Sequence, residues 1–171
     1  MSQFKELDDK VTLKEFISHP AKPKAVGRLD YDSEGLLLLS DDDRFIRALT
    51  SPKSRIEKEY FVQVEGSPKK EDIARLTRGI TTLTEIYAPC FAEIIEEPGW
   101  LWKRNPPIRY RKNIPTSWIK VILQEGKNRQ VRKMAAFIGY PALRLVRVRI
   151  GNLSLGHLRP GESKVIEKKD I

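Results

Sequence analysis

The chain has 171 residues, of which 40% are hydrophobic and 32% are charged, so it can bury one sizeable core but not two full domains. Its 32 Lys and Arg against 23 Asp and Glu leave a net charge of +9, which favours a polyanionic partner such as nucleic acid, although an inert basic surface would give the same charge. One cysteine and two histidines exclude a disulfide framework and a four-ligand zinc site. The acidic first residues and the lack of a long apolar run predict a soluble cytoplasmic protein without a membrane span, and we expect a monomer.

The chain begins with a short helix and a turn that leads into a strand. Thr12 and Glu15 have the spacing of a capping box. The apolar residues of this helix that we expect to be buried are Leu13, Phe16 and Ile17. Beyond it, the polar turn GRLDYDSE (27–34) precedes the apolar run GLLLLS (35–40), which is too continuous for an amphipathic helix and predicts one buried strand.

Local signals define the next three elements. Asp42 and Asp43 predict the start of a helix that ends before Pro52, because acidic residues are favoured in a first turn. Residues 58–66, KEYFVQVEG, alternate as a strand does. A second helix is expected to begin at Pro68 and to end at Gly79.

An unusual insert separates two further strands. Residues 88–96 and 117–124 predict strands, and the segment between them, WLWKRNPPIRYRKNIPT (100–116), is rich in proline and basic residues. The prolines oppose regular structure, whereas Trp100 and Trp102 are not typical of a flexible linker. We interpret the insert either as an ordered surface loop pinned by the two tryptophans or as a loop that contacts RNA.

A helix with a basic first turn is predicted over residues 128–138, with Gly139 as its stop. An apolar stripe along it consists of Val131, Met134, Ala135 and Ile138. Four cations lie in or just before its first turns: Lys127, Arg129, Arg132 and Lys133. Cations are unfavourable at the positive end of the helix dipole, so they indicate a bound anion, either a phosphate or a buried carboxylate; a solvated basic face is the alternative.

The last strand, LRLVRVRIG (143–151), alternates apolar and basic residues. Strict alternation groups them into two faces, with Leu143, Leu145, Arg147 and Arg149 on one and Arg144, Val146 and Val148 on the other. Because neither face is wholly apolar, we expect a half-exposed strand that borders a groove; an edge strand protected by charge is the alternative. Strands and helices mix without a βαβ repeat, which predicts an α+β fold in a single domain over residues 1–171.

Asp30 is the strongest local candidate for chemistry. It lies near Arg28 in the turn before the apolar run, where a carboxylate either caps the turn or is held for catalysis. Aspartate is common in turns, and Asp32, Ser33 or Glu34 could cap this one equally well. Taken alone, the segment favours a structural aspartate.

Three ordered motifs resemble those of the pseudouridine synthases that modify ribosomal RNA. GRLDYDSEGLLLLSDD (27–42) resembles the catalytic motif of that family, KEYFVQVEG (58–66) its tyrosine motif, and EGKNRQVRKMAAFIGYPALRLVRVRIG (125–151) its closing motif. The insert KRNPPIRYRKNIPTSW (103–118) is further similar to the ribosomal large subunit pseudouridine synthase E subfamily, and the likeness covers essentially the whole chain. The resemblance implies the catalytic fold of the family, a mixed and mostly antiparallel central sheet with flanking helices.

The resemblance also implies three catalytic roles. Asp30 would attack the ribose or the base of the target uridine and break the glycosidic bond, so that the base can rotate and rejoin through carbon. Tyr60 occupies the aromatic position that packs on the flipped base and helps to remove a proton. Arg132 occupies the basic position that pairs with the catalytic aspartate, so we expect a direct Asp30–Arg132 ion pair, and no cofactor or metal is implied.

Contacts with RNA follow from the same motifs. Arg28 matches the side chain that enters the space left by the flipped nucleotide, and Leu145 and Arg147 match residues that line the uracil pocket. The closing motif assigns further RNA contacts to Lys127, Asn128, Arg129, Gln130 and Lys133. The expected partner is therefore large-subunit ribosomal RNA.

The sequence departs from the family pattern in three places. Family members begin with an extra strand that carries an Asn-Lys-Pro element, whereas this sequence starts at MSQF, so we expect that strand to be missing. No S4-type RNA-binding module precedes the motifs, and target choice is expected to rest on the catalytic domain and its loops. Asp41, Asp42 and Asp43 replace an Asn-Asp-Gly turn that is remote from the expected chemistry.

Two other functions fit parts of the sequence. A noncatalytic RNA-binding protein explains the charge but gives Asp30 no task. A glycosidase could use Asp30 with Asp32 or Glu34 as paired carboxylates, but it would not need the basic helix.

Overall fold

The computed structural model describes residues 2–4, 11–17, 20–108 and 112–170, which form ten strands and three α-helices. The strands are β1 (Lys24–Val26), β2 (Glu34–Gly35), β3 (Leu38–Ser40), β4 (Lys58–Glu65), β5 (Ile80–Thr81), β6 (Ile86–Tyr87), β7 (Phe91–Ile95), β8 (Thr116–Leu123), β9 (Ala142–Ile150) and β10 (Leu153–Ser154). The α-helices are α1 (Asp43–Thr50), α2 (Lys70–Thr77) and α3 (Gln130–Phe137), and short 3-10 helices cover Leu13–Glu15, Pro52–Ser54 and Lys168–Asp170. This mixture confirms the predicted α+β class.

The central sheet has the strand order β10-β9-β4-β8-β7, and β2 joins it as a parallel neighbour of β9. The other pairings described in it are antiparallel. β1 with β3 and β5 with β6 form two small additional sheets. The sheet is therefore mixed and mostly antiparallel, as the resemblance implied.

Both faces of the central sheet are covered. One face packs against α2 and α3, and the buried side chains of these helices include Ile73, Leu76, Val131, Met134 and Ala135. The other face packs against Leu36 and Leu38, with Trp102 partly buried against it. Burying an aliphatic side chain contributes about 1.5–3 kcal/mol, so the two cores together fix β9, beside which the candidate site lies.

Local signals placed the helices correctly. The Asp42 carboxylate caps α1 by accepting hydrogen bonds from the N–H groups of Arg44 (2.8 Å) and Phe45 (3.1 Å). Helices α2 and α3 end just before Gly79 and Gly139, as predicted. At the first 3-10 helix, Glu15 accepts a hydrogen bond from the Thr12 N–H (3.1 Å), in agreement with the capping box.

The burial expected at this first helix is wrong for Phe16, which is 53% exposed. Residues 109–111 of the insert lie outside the described residues. In the part of the chain that the structure describes, no helix has the length and apolar character needed to cross a membrane.

The apolar run 35–40 forms two strands rather than the one expected. β2 and β3 belong to different sheets and are separated by Leu36 and Leu37. Gly35 has a φ of 103°, and a Cβ at this position would lie 2.2 Å from the Arg147 carbonyl oxygen. The close approach to β9 turns the chain here, and only glycine accepts both the backbone conformation and the contact.

The expectation that β9 is half exposed at a groove is also wrong. β9 lies between β4 on one side and β2 and β10 on the other, and Arg144 and Arg147 are buried. Val148 is an extra residue in β9 between the pairs Glu59–Arg149 and Tyr60–Arg147, and this β-bulge interrupts the strict alternation. Arg149 forms ion pairs with Glu57 and Glu59. The acceptors that bind these arginines come from distant segments, so alternation along one strand could not indicate them.

Candidate active site

The turn that carries Asp30 lies beside the start of β9. The Ser33 N–H donates to the Asp30 carbonyl oxygen (3.0 Å), which closes a β-turn over residues 30–33. β2 follows directly and pairs in parallel with β9 at Val146 and Arg147. Because the two strands run in the same direction, the turn lies next to the first residues of β9.

The Asp30 carboxylate is partly exposed and does not cap its turn. Its side chain is 29% exposed, and among the described residues it pairs with Arg129, whose Nη1 lies 3.9 Å from Asp30 Oδ2. Within the described part of the chain, the carboxylate accepts no hydrogen bond from the backbone of its own turn, unlike the cap formed by Asp42. The structural interpretation of Asp30 therefore loses its main support.

Asp32 binds two arginines from α3. Arg129 donates from its two Nη atoms to the two oxygens of the Asp32 carboxylate, each at 3.0 Å. Arg132, which is 11% exposed, donates from Nη2 to the Asp32 carbonyl oxygen (2.7 Å) and from Nη1 to the Ala142 carbonyl oxygen (3.0 Å). Its Nε is buried 3.4 Å from Asp32 Oδ2 but makes no hydrogen bond.

The direct ion pair expected between Asp30 and Arg132 is not the contact found. Asp30 acts on Arg132 only as a nearby negative charge, whereas Arg129 approaches both aspartates. The sequence thus predicted that a carboxylate of this turn meets the basic helix, but not which one. Two acids that are two positions apart in a turn cannot be distinguished by residue type.

The pKa shifts in this cluster follow from the contacts. The hydrogen bonds from Arg129 hold the pKa of Asp32 below its ordinary value and raise the pKa of Arg129. Burial lowers the pKa of Arg132, and the charge of Asp32 opposes that lowering. Two cations thus face two carboxylates, of which Asp30 is the less engaged.

Tyr60 and Arg147 lie opposite each other on β4 and β9. Arg147 is 5% exposed, its Nε donates to the Leu36 carbonyl oxygen (2.8 Å), and its Nη2 is buried without a hydrogen-bond partner. Burial, and then the charge of Arg147, lower the pKa of Lys58, two residues before Tyr60. Desolvated donors of this kind favour a ligand that supplies acceptor atoms.

Comparison with known proteins decides the family. A model of the RNA pseudouridylate synthase family matches residues 2–137. The chain belongs to this family. It is 46% identical over 168 residues to ribosomal large subunit pseudouridine synthase E of Vibrio parahaemolyticus, with 98% of this chain and 69% of the relative covered. It is 43% identical over 173 residues to the protein of the same name from Xanthomonas campestris pv. campestris, with 100% of this chain and 92% of the relative covered.

A solved structure supports the same assignment. A crystal structure of a pseudouridylate synthase superposes with a TM-score of 0.77 at 28% identity, over 95% of this chain and 64% of that chain. The pseudouridine synthase fold and the isomerase class that the three motifs implied are confirmed.

In this pseudouridine synthase, two lysines assigned to RNA contacts bind the protein itself. Lys133 forms an ion pair with Glu85 (2.6 Å). Lys127 donates to the Ile86 carbonyl oxygen, and its Nζ lies 5.6 Å from the centre of the Tyr87 ring. Both contacts hold the β5–β6 hairpin against the start of α3, and the proposed RNA contacts of the two lysines stay predictions.

The other residues assigned to RNA differ in burial. Arg28 and Asn128 are exposed. Gln130 is buried, accepts a hydrogen bond from the Lys127 N–H (3.0 Å) and donates to Glu125, while Leu145 is part of the core. Gln130 and Leu145 therefore lie below the surface of the site and do not face solvent.

The sequence did not indicate the contacts of Glu34, which it presented as a possible turn cap or as one of two paired carboxylates in a glycosidase. Its carboxylate accepts hydrogen bonds from Arg144 and Trp102, which come from distant parts of the chain, so no local pattern could have indicated them. Among the described residues, no group of three or more His, Cys, Asp or Glu side chains could hold a metal ion.

Proposed function

We propose that this protein isomerises a uridine of large-subunit ribosomal RNA to pseudouridine, with Asp30 as the nucleophile. The relatives from Vibrio and Xanthomonas are named for the ribosomal large subunit, and the net charge of +9 suits an RNA partner. The observation that carries the choice of nucleophile is that the Asp30 carboxylate is partly exposed, lies beside Arg129 and does not cap its turn. A ribosomal RNA substrate places the proposed reaction in the cytoplasm.

The proposed reaction exchanges one bond for another. An oxygen of Asp30 forms a bond to the ribose or to the base, the N1–C1′ bond breaks, the base rotates until C5 bonds to C1′, and the bond to Asp30 breaks, which restores the free carboxylate. The C5 proton leaves and N1 takes up a proton, so that the product is an isomer of the substrate. The ionised carboxylate is the nucleophile, and the guanidinium groups of Arg129 and Arg132 supply positive charge beside it.

Arg132 is placed to change partner during the reaction. Its Nε makes no hydrogen bond, and Asp32 Oδ2, at 3.4 Å, is already bound by Arg129. A shift of Arg132 toward Asp30 when RNA enters the site would give Nε the acceptor that it lacks. Leaving a buried donor unpaired costs about 1–3 kcal/mol, and this shift would remove that cost.

The neighbouring residues suit an extruded base. Flipping a nucleotide out of a helix costs a few kcal/mol, and an inserted side chain offsets part of that cost. Arg28 is exposed near Asp30 and can fill the gap while it contacts phosphate. Tyr60 packs on the base, and Leu145 helps to keep water from the intermediate.

The competing functions lose support. A glycosidase needs a second available carboxylate near Asp30. Both oxygens of Asp32 accept hydrogen bonds from Arg129, and both oxygens of Glu34 accept hydrogen bonds from Arg144. A noncatalytic RNA-binding protein gains nothing from a partly exposed acid beside the cations that would bind RNA.

The Asp30→Asn variant tests the proposal, with Asp41→Asn as the matched control, because Asp41 is exposed and its replacement removes the same charge. A transcript of large-subunit ribosomal RNA is incubated with each protein, and pseudouridine is mapped chemically. Asp30→Asn should reduce pseudouridine formation by roughly a thousandfold or more with RNA affinity retained, while Asp41→Asn behaves as wild type. Activity in Asp30→Asn would show that the nucleophile is another group. An inactive wild-type protein would show that the large-subunit ribosomal RNA transcript is not the substrate.

A further inference from the structure

The first part of the insert folds back onto the turn over residues 30–33, which is called the catalytic turn because it carries the proposed nucleophile, Asp30. Trp102 donates from Nε1 to Glu34 Oε2 (2.7 Å), and Arg104 Nε lies 3.5 Å from Glu34 Oε1. Glu34 is the residue directly after the turn that carries Asp30. Two side chains of the insert are therefore attached to the segment that positions the proposed nucleophile.

Arg144 completes this attachment from β9. It donates from Nε and Nη2 to the two oxygens of Glu34, each at 2.9 Å, and from Nη2 to the Trp102 carbonyl oxygen (2.9 Å). Its guanidinium also lies 5.7 Å from the centre of the Trp102 ring. The Arg144 side chain is 8% exposed and that of Glu34 is 19% exposed, so solvent screens these charges weakly.

Arg104 reaches the same end of β9 as the arginines of α3. It donates from Nη1 to the Leu143 carbonyl oxygen (3.4 Å), and Arg132 donates to the carbonyl oxygen of the preceding residue, Ala142 (3.0 Å). The charge of Arg104 adds to the larger effect of burial in lowering the pKa of Arg132. The insert thus brings a cation close to the basic cluster of the site.

The protein does not fully neutralise the positive charge of the cations around Glu34. Glu34 carries one negative charge and is shared by Arg104 and Arg144, and Lys103 next to them is exposed. The Arg104 side chain keeps 21% of its surface exposed, so it can contact a ligand that binds beside the start of β9. An excess of cations beside a site that binds RNA favours contact with the phosphate backbone.

We propose that residues 100–104 form a basic wall of the RNA cleft, in which Arg104 contacts a phosphate next to the target uridine and Glu34 is the positioning residue that fixes this wall to the catalytic turn. This inference rests on the proposed function, since it takes RNA as the substrate. It assigns the insert a part in substrate recognition, which is one of the two interpretations that the sequence left open.

The test compares Arg104→Ala with Arg78→Ala, which removes the same charge at the exposed C-cap of α2. Binding of the large-subunit ribosomal RNA transcript is measured over a range of salt concentrations, and pseudouridine formation is followed in a single turnover at saturating RNA. Arg104→Ala should lower the slope of log affinity against log salt by about 0.7–0.9. Arg104→Lys, which keeps the charge, should retain the wild-type slope.

Glu34→Gln tests the positioning role. It weakens the attachment of the insert, so it should reduce RNA affinity in the wild-type background but add little to Arg104→Ala, because both changes act on one contact. Equal slopes for Arg104→Ala, Arg78→Ala and wild type would overturn the inference while leaving the proposed function intact. A wild-type protein that forms no pseudouridine would instead overturn the proposed function.

Discussion

At the scale of single residues, the catalytic turn separates two acids by the strength of their contacts. Asp32 is bound through both oxygens by Arg129, while the same guanidinium approaches Asp30 only to 3.9 Å. The two carboxylates compete for the same cations. The more tightly bound Asp32 therefore stabilises the turn, and Asp30 keeps a carboxylate that is less engaged, as the proposed nucleophile requires.

Asp32→Asn should consequently lower stability in a pH-dependent way. The folded pKa of Asp32 is below its ordinary value of 3.8, so its contribution is complete above that pH and is lost as the pH falls through the lower folded value. Because its side chain is 36% exposed, we expect a loss of about 0.5–1 kcal/mol at neutral pH. Thermal melts from neutral pH to below 3.8 should show the difference from wild type shrinking, whereas a constant difference would indicate distortion of the turn by the amide.

At the scale of elements, β2 depends on one glycine. Replacing Gly35 with alanine would place a Cβ 2.2 Å from the Arg147 carbonyl oxygen at a φ of 103°. Strain and displacement from β9 should together lower the free energy of unfolding by about 3 kcal/mol or more, as measured in urea. Gly99→Ala is the control, because a Cβ there meets nothing within 4 Å; similar losses in the two variants would show that β2 is not held by this contact.

The elements that could be predicted are those with local signals. Caps, prolines and glycines define α1, α2 and α3, and alternation defines β4 and β8, because these patterns depend on residues a few positions apart. β2 has two residues and exists because it pairs with a strand far along the chain. The partners of Glu34 and the burial of Arg144 depend on that same pairing. The family resemblance could therefore bring Asp30 and the basic helix into one site, but it could not supply their hydrogen bonds.

At the scale of the whole molecule, the cations behind the net charge of +9 are not all close to the proposed site. Arg132 of α3 and Arg104 of the insert contact the first residues of β9, and Arg132 also contacts the catalytic turn at Asp32. Helix α2 contacts β7, the strand at the opposite edge of the central sheet. Under the proposed function, the cations near the start of β9 contact RNA, whereas Arg78, at the C-cap of α2, has no described contact with this end of the strand.

Salt dependence can test this division of charge. In an Asp30→Asn background, which prevents turnover during the titration, Arg28→Ala should lower the slope of log affinity against log salt by about 0.7–0.9, the value for one lost phosphate contact. Arg78→Ala, at the end of α2, should leave the slope unchanged, because among the described residues no hydrogen bond or ion pair joins Arg78 to the catalytic turn, the insert or β9. Filter binding of the large-subunit ribosomal RNA transcript over a range of salt concentrations measures the slope for both variants. If the two variants lowered the slope equally, RNA would be held by the basic surface as a whole, and the cleft beside β9 would not be its binding site.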